Sequence, residues 1–143
     1  MPSASLIKEF EQLVGKENVF SSEADRQSYA YDAAVLKPMI PSLVVRPTEV
    51  EQLGQVVKRC YEEGIPMTVR GSGTNLTGGT IPDCSDTIVI LTTGLNKILE
   101  INTEDLYATV QPGVITAKFA AAVAAKLLPR RLSNYIVGRM YAK

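Results

Sequence analysis

The chain has 143 residues, 15 basic against 15 acidic side chains, two cysteines and no histidine. That is one domain's length, enough for a real core, and zero formal charge argues against a nucleic-acid or anionic-membrane footprint. Without histidine, Ser-His-Asp and Cys-His nucleophile systems, histidine-ligated zinc and imidazole acid–base chemistry all fall away.

Any chemistry must therefore come from carboxylates, hydroxyls or a borrowed cofactor. Cys60 and Cys84 read as buried free thiols rather than a disulfide or a metal site. The apolar runs are too short to span a bilayer. The opening Met1-Pro2-Ser3-Ala4-Ser5 lacks the layout of a secretory signal, which points to the cytoplasm.

In chain order, Leu6, Ile7, Phe10, Leu13 and Val14 recur at helical spacing, predicting an amphipathic helix that ends near Gly15. Val19-Phe20 is a short apolar element, and Ser21 or Ser22 caps a brief helix through Tyr29. Pro38 and Pro41 then exclude helix. Ser42 to Val45 reads as a buried strand. Thr48-x-x-Glu51 forms a capping box for a helix whose apolar face is Val50, Leu53, Val56, Val57, Cys60 and Tyr61, with Gly64 as its stop.

Pro66 to Val69 supplies a second strand. Strand, helix and strand in this order make a βαβ unit with parallel strands. Thr87 to Leu91 is a third strand. Ile98–Ile101 and Tyr107–Val110 flank the polar turn Asn102–Asp105 as a hairpin. Thr116 caps a last helix through Lys126, with Phe119 and Val123 inward and alanines keeping it slim.

The stretch from Val69 to Thr80 holds four glycines, three threonines, Ser72, Asn75 and Arg70, with no acidic residue. It follows the carboxyl end of a parallel strand, where open α/β sheets bind ligands. Glycines let successive N–H groups converge into an anion nest, and the Arg70 fork matches phosphate oxygens. The stretch reads as a diphosphate cradle, against the plainer reading of a flexible glycine-rich loop.

A Walker loop needs a terminal Gly-Lys-Ser/Thr, and no lysine lies inside the stretch. The dinucleotide fingerprint needs a third glycine where Leu76 stands, then a helix, and Thr80-Ile81-Pro82-Asp83 comes next instead.

A third pattern fits. Four segments stand in register: Val44-Val45-Arg46-Pro47 with its capping helix, Arg70-Gly71-Ser72-Gly73-Thr74-x-x-x-Gly78-Gly79, Gly94 to Ile101, and Ala108 to Val114. Together they resemble the FAD-binding domain of the vanillyl-alcohol oxidase and p-cresol methylhydroxylase superfamily, nearest its branch of glycolate oxidase flavoprotein subunits and D-lactate dehydrogenases. The resemblance covers residues 40–126 and, more loosely, Tyr31-Asp32 upstream.

The resemblance implies an α+β fold: a small parallel sheet with flanking helices as a first FAD-binding subdomain, then the opening hairpin and helix of a second. It implies a helical lead-in over residues 1–39, a partial FAD-binding domain over 40–126 and a divergent tail over 127–143. By the same resemblance Gly71, Ser72, Gly73, Thr74 and Asn75 offer donors to the FAD pyrophosphate, and Gly78 and Gly79 allow close passage. Pro112, Gly113 and Val114 lie near the cofactor. Arg70 contacts phosphate or, equally, pairs with a carboxylate to hold the loop. Some relatives bond the flavin covalently through a loop histidine. Thr74 takes that place here, so FAD is expected to be held non-covalently.

The family reaction moves a hydride from a 2-hydroxy acid to the flavin, with later sequence handling the substrate and other oxidase subunits as possible partners. No residue of this chain is assigned a catalytic role, no metal is expected, and the chain alone is expected to be inactive. Rival readings are a non-catalytic nucleotide- or partner-binding module and a non-functional truncated product. The likeness is read as ending at Lys126. A one-base frame shift, a divergent tail or a different splice would each account for residues 127–143.

Overall fold

The computed structural model describes residues 2–127, and it divides into two compact units, residues 1–95 and 96–143. Beyond Leu127, the reading of the tail falls outside the described residues. The class is α+β, with a small parallel sheet, flanking helices and a separate hairpin with its helix.

The first unit runs α1 (Ala4–Val14), β1 (Val19–Phe20), α2 (Glu23–Gln27), β2 (Leu43–Val45), α3 (Val50–Glu62), β3 (Met67–Arg70) and β4 (Ile88–Leu91). Its strands are ordered β1-β2-β4-β3. β1 is antiparallel to β2, and β4 is parallel to both β2 and β3. The two strands of the expected βαβ unit do point the same way, but β4 lies between them. Residues 2–39, expected as a lead-in, supply β1 to the sheet and Phe10 to the core.

Alternation along the strands divides the core. Leu43, Val45, Ile88 and Ile90 face Leu6, Phe10 and Val14 of α1 and Val56 and Cys60 of α3. Val44, Val89 and Leu91 face the other way, packed by Phe20 and Tyr29. Every residue of β2 and β4 is buried because both faces are covered. Each such aliphatic side chain stabilises the fold by about 1.5–3 kcal/mol relative to exposure.

Ser3 caps α1, its Oγ accepting from Leu6 N at 3.2 Å, and Gly15 ends it at φ 90°. Ser22 caps α2, accepting from Asp25 N. The cap of α3 sits one residue later than the Thr48/Glu51 spacing predicted. Glu49 is the N-cap and Gln52 the third helical residue, whose Oε1 accepts from Glu49 N at 3.1 Å and from Thr48 N at 2.9 Å. Gln52 can serve both because its Nε2 is anchored on Leu13 O at 3.0 Å.

The buried face of α3 is also narrower than its spacing suggested. Val56 and Cys60 are buried and Leu53 partly so, while Val50, Val57 and Tyr61 are exposed. Contact with α1 and the sheet fills only that stripe, and Arg59 at its margin instead meets Glu9 of α1 at 2.9 Å.

The second unit holds β5 (Ile98–Asn102), β6 (Tyr107–Val110) and α4 (Thr116–Leu127). The hairpin is antiparallel with a bulge between Ile98 and Glu100. Asn102 Oδ1 accepts from Glu104 N and Asp105 N, both at 2.9 Å, which shapes the polar turn. Phe119 and Val123 line an apolar groove of about 240 Å³ with Ile101, Leu106 and Ala108. Among the described residues, no helix is long and apolar enough to cross a membrane.

Candidate functional site

β3 ends at Arg70, and residues 71–87 carry the chain to β4 without forming a helix. Parallel neighbours need a crossover of a dozen residues or more, a task that usually falls to a helix. Here the glycine loop performs it.

Arg70 is only 6 % exposed. Its Nη1 donates to Tyr31 O at 2.6 Å and reaches Thr80 Oγ1 at 3.5 Å, while its Cζ lies 5.7 Å from the centre of the Tyr29 ring. The guanidinium also fills the space beside Gly73, where φ is +72°. These contacts tie the start of the loop to a carbonyl and a hydroxyl.

The carboxylate at this site is Asp32, 9 % exposed. Its Oδ1 accepts from Ala34 N at 2.8 Å, and its Oδ2 accepts from Asn75 Nδ2 at 2.7 Å and Thr80 Oγ1 at 3.2 Å. Thr80 Oγ1 also lies 3.0 Å from Asn75 Oδ1. Burial alone would push the Asp32 carboxyl up. The donors from Ala34, Asn75 and Thr80 together outweigh it and hold the carboxyl below its ordinary value. Neither Asp32 nor Thr80 was among the site residues read from the sequence. Their signal is not local, since Asp32 meets partners 43 and 48 positions away.

The four loop glycines divide into two kinds. A Cβ on Gly73 would collide with Arg70 and one on Gly78 with Leu36, and both residues have positive φ. Gly71 and Gly79 have no such constraint. Their nearest atoms to an added Cβ are Thr92 Oγ1 at 3.8 Å and Thr77 Oγ1 at 3.7 Å, ordinary contact. Ser72 and Thr74 are exposed, and among the described residues the N–H groups from Ser72 to Gly79 donate to no carbonyl or side chain.

Pro112, Gly113 and Val114 follow β6 in the second unit. Gln111 anchors them: it is 8 % exposed, its Oε1 accepts from Lys97 N at 2.8 Å and its N donates to Lys97 O at 2.9 Å. Val114 N closes a turn on Gln111 O at 3.2 Å.

Residues 41–137 match the family described as FAD binding domain. The chain belongs to that family. FAD is the cofactor of this FAD binding domain, and the match continues past Lys126, where the likeness had been expected to stop.

The FAD binding domain is 43 % identical over 115 residues to the glycolate oxidase subunit GlcD of Bacillus subtilis (strain 168), covering 80 % of this chain and 24 % of that protein. It is 29 % identical over 110 residues to the D-lactate dehydrogenase of Anaerostipes hadrus, covering 77 % of the chain and 23 % of the relative. Among solved structures it superposes on p-cresol methylhydroxylase with substrate bound, at a TM-score of 0.77 and 29 % identity, covering 87 % of the chain and 25 % of that structure. It is therefore the FAD-binding domain of flavin oxidoreductases related to glycolate oxidase and D-lactate dehydrogenase. The chain spans about a quarter of the length of the relatives it matches.

Proposed function

We propose that the loop from Arg70 to Thr80 receives the FAD pyrophosphate without a covalent bond, as part of an oxidoreductase acting on 2-hydroxy acids of the glycolate or D-lactate type. One observation carries this: nothing in the fold requires glycine at positions 71 and 79. A side chain would fit at both, so their smallness serves close approach from outside, beside a run of amide donors suited to an anion. Gly71, Ser72, Gly73, Thr74 and Asn75 then lie nearest the phosphates, with Gly78 and Gly79 passing close to the cofactor. Arg70 acts from beneath the loop. Pro112, Gly113 and Val114 are proposed as a second stretch near FAD, on the family likeness alone.

Bound FAD supplies the electron sink for hydride removal. This chain's own residues bind and orient the cofactor. The substrate class rests on the names of the relatives, as does association with other oxidase subunits. Because the chain spans a quarter of those relatives, the 143-residue protein alone is expected to show little or no turnover with glycolate or D-lactate.

Titrating the full chain with FAD and with ADP tests the loop. Gly71→Ala and Gly79→Ala are expected to fold like the wild type, with thermal midpoints changed little, and to bind both nucleotides about tenfold more weakly or worse. Unchanged affinity in both variants would sink the reading.

A further inference from the structure

We propose that Asp32, which lies ahead of the residues 41–137 matched by the family, is the positioning residue that gives the glycine loop its FAD-ready shape. The inference rests on the pyrophosphate reading above and adds a residue that acts through the loop rather than on the cofactor.

Glycines make the turns of such a loop accessible but also multiply the alternatives, so ordering it on binding would cost conformational entropy at each freed residue. A loop ordered beforehand binds more tightly for the same contacts. In this chain the ordering comes from three points outside the loop's own backbone. Asp32 Oδ2 holds Asn75 at the loop's midpoint and Thr80 at its end, at 2.7 and 3.2 Å. Arg70 at its start is tied to Tyr31 O, the residue next to Asp32, at 2.6 Å. Leu36, four residues on from Asp32, packs against Gly78. The segment from Tyr31 to Leu36 is thus a splint for the loop.

Asp32 is itself fixed. Its Oδ1 accepts from Ala34 N at 2.8 Å, a short-range turn that orients the carboxylate. The side chains so consumed are those of Arg70, Asn75 and Thr80, whereas among the described residues the N–H groups from Ser72 to Gly79 donate to no protein group. The carboxylate takes the side-chain donors of Asn75 and Thr80 and the terminal amide of Thr80, not the amides from Ser72 to Gly79.

The test uses the full chain and three variants: Asp32→Ala, Asp32→Asn, and Gly79→Ala as the probe of ligand approach. FAD and ADP affinities are measured by titration, thermal midpoints by circular dichroism, and backbone order without ligand by NMR relaxation. Asp32→Ala is expected to lower the backbone order parameters across residues 72–80, leave those of β2 and β4 unchanged, and weaken FAD and ADP alike by about tenfold or more. Asp32→Asn keeps one acceptor oxygen and should recover part of that loss.

If Asp32→Ala leaves loop order as it was, the splint is overturned. If loop order falls and Gly79→Ala weakens FAD while Asp32→Ala binds it like the wild type, the positioning role is overturned. If Gly79→Ala and Asp32→Ala both bind FAD normally, the pyrophosphate reading fails, and loop order alone still decides whether Asp32 shapes the loop. A drop in thermal midpoint with lowered order in β2 and β4 would show a general structural role and overturn the proposal.

Discussion

The guanidinium of Arg70 occupies the place where a side chain on Gly73 would stand. Gly73→Ala therefore suffers twice, once from that collision and once from its φ of +72°. The expected cost is about 1–3 kcal/mol. A double-mutant cycle with Arg70→Ala separates the two effects: removing the guanidinium should relieve the collision and leave only the backbone strain. Thermal or urea unfolding of the four proteins reads the coupling. Additive losses would mean that the two residues are not packed as described.

Gly94 presents a harder contact, because an added Cβ would run into the backbone carbonyl of Pro47. A carbonyl fixed between β2 and α3 cannot swing aside as a flexible side chain does. Gly94→Ala should destabilise the first unit by about 2–4 kcal/mol. Gly54→Ala in α3, with nothing within 4 Å of its added Cβ, should instead stabilise by about 0.5–1 kcal/mol. Denaturant midpoints of the two variants should therefore move in opposite directions.

The Asp32 carboxyl is held below its ordinary value by its donors, which fixes the sign of its pH dependence. The folded form binds the proton less readily than the unfolded chain. The stabilisation is therefore complete above the unfolded carboxylate value of about 3.9, and it is lost as pH falls through the lower folded value. Wild type should be more stable than Asp32→Asn near neutrality, with the gap closing only in acid below about pH 4. A gap that closed between about pH 5 and 7, above the carboxylate range, would contradict this assignment.

Burial raises the Cys60 thiol to about 11, while Cys84 is exposed. At neutral pH the native protein should take up a single equivalent of iodoacetamide, at Cys84, and a second only on unfolding. Peptide mapping after limited alkylation checks this. The exposure of Cys84 also corrects the expectation that both thiols are buried.

Much of the scaffold was readable because its signals are local. Leu6, Phe10 and Val14 repeat at helical spacing, Ser22 precedes its helix, and Leu43 to Val45 is an unbroken aliphatic run. The cap of α3 lies one residue beyond the Thr48/Glu51 pair because the reciprocal pair is Glu49/Gln52, whose first residue the Ser/Thr-x-x-Glu/Gln pattern does not name. Only the tie from Gln52 to Leu13 O selects between them. Val50, Val57 and Tyr61 were over-assigned to the core because periodicity shows a face but not how much of it a neighbour covers. The glycine loop was legible as a loop. Its support from Asp32 was not, since that depends on where two distant segments meet. The sequence also did not separate Gly73 and Gly78, which the fold itself needs, from Gly71 and Gly79, which it does not.

The strand order has a bearing on synthesis. β4 is the last strand of its sheet to be made yet lies between β2 and β3. A nascent chain that has not yet reached Leu91 has only the β1–β2 ribbon, and β3 has no mate. The sheet is completed only when the glycine crossover delivers its central strand, so errors in that crossover would strand an earlier-made half with open hydrogen-bonding edges during translation.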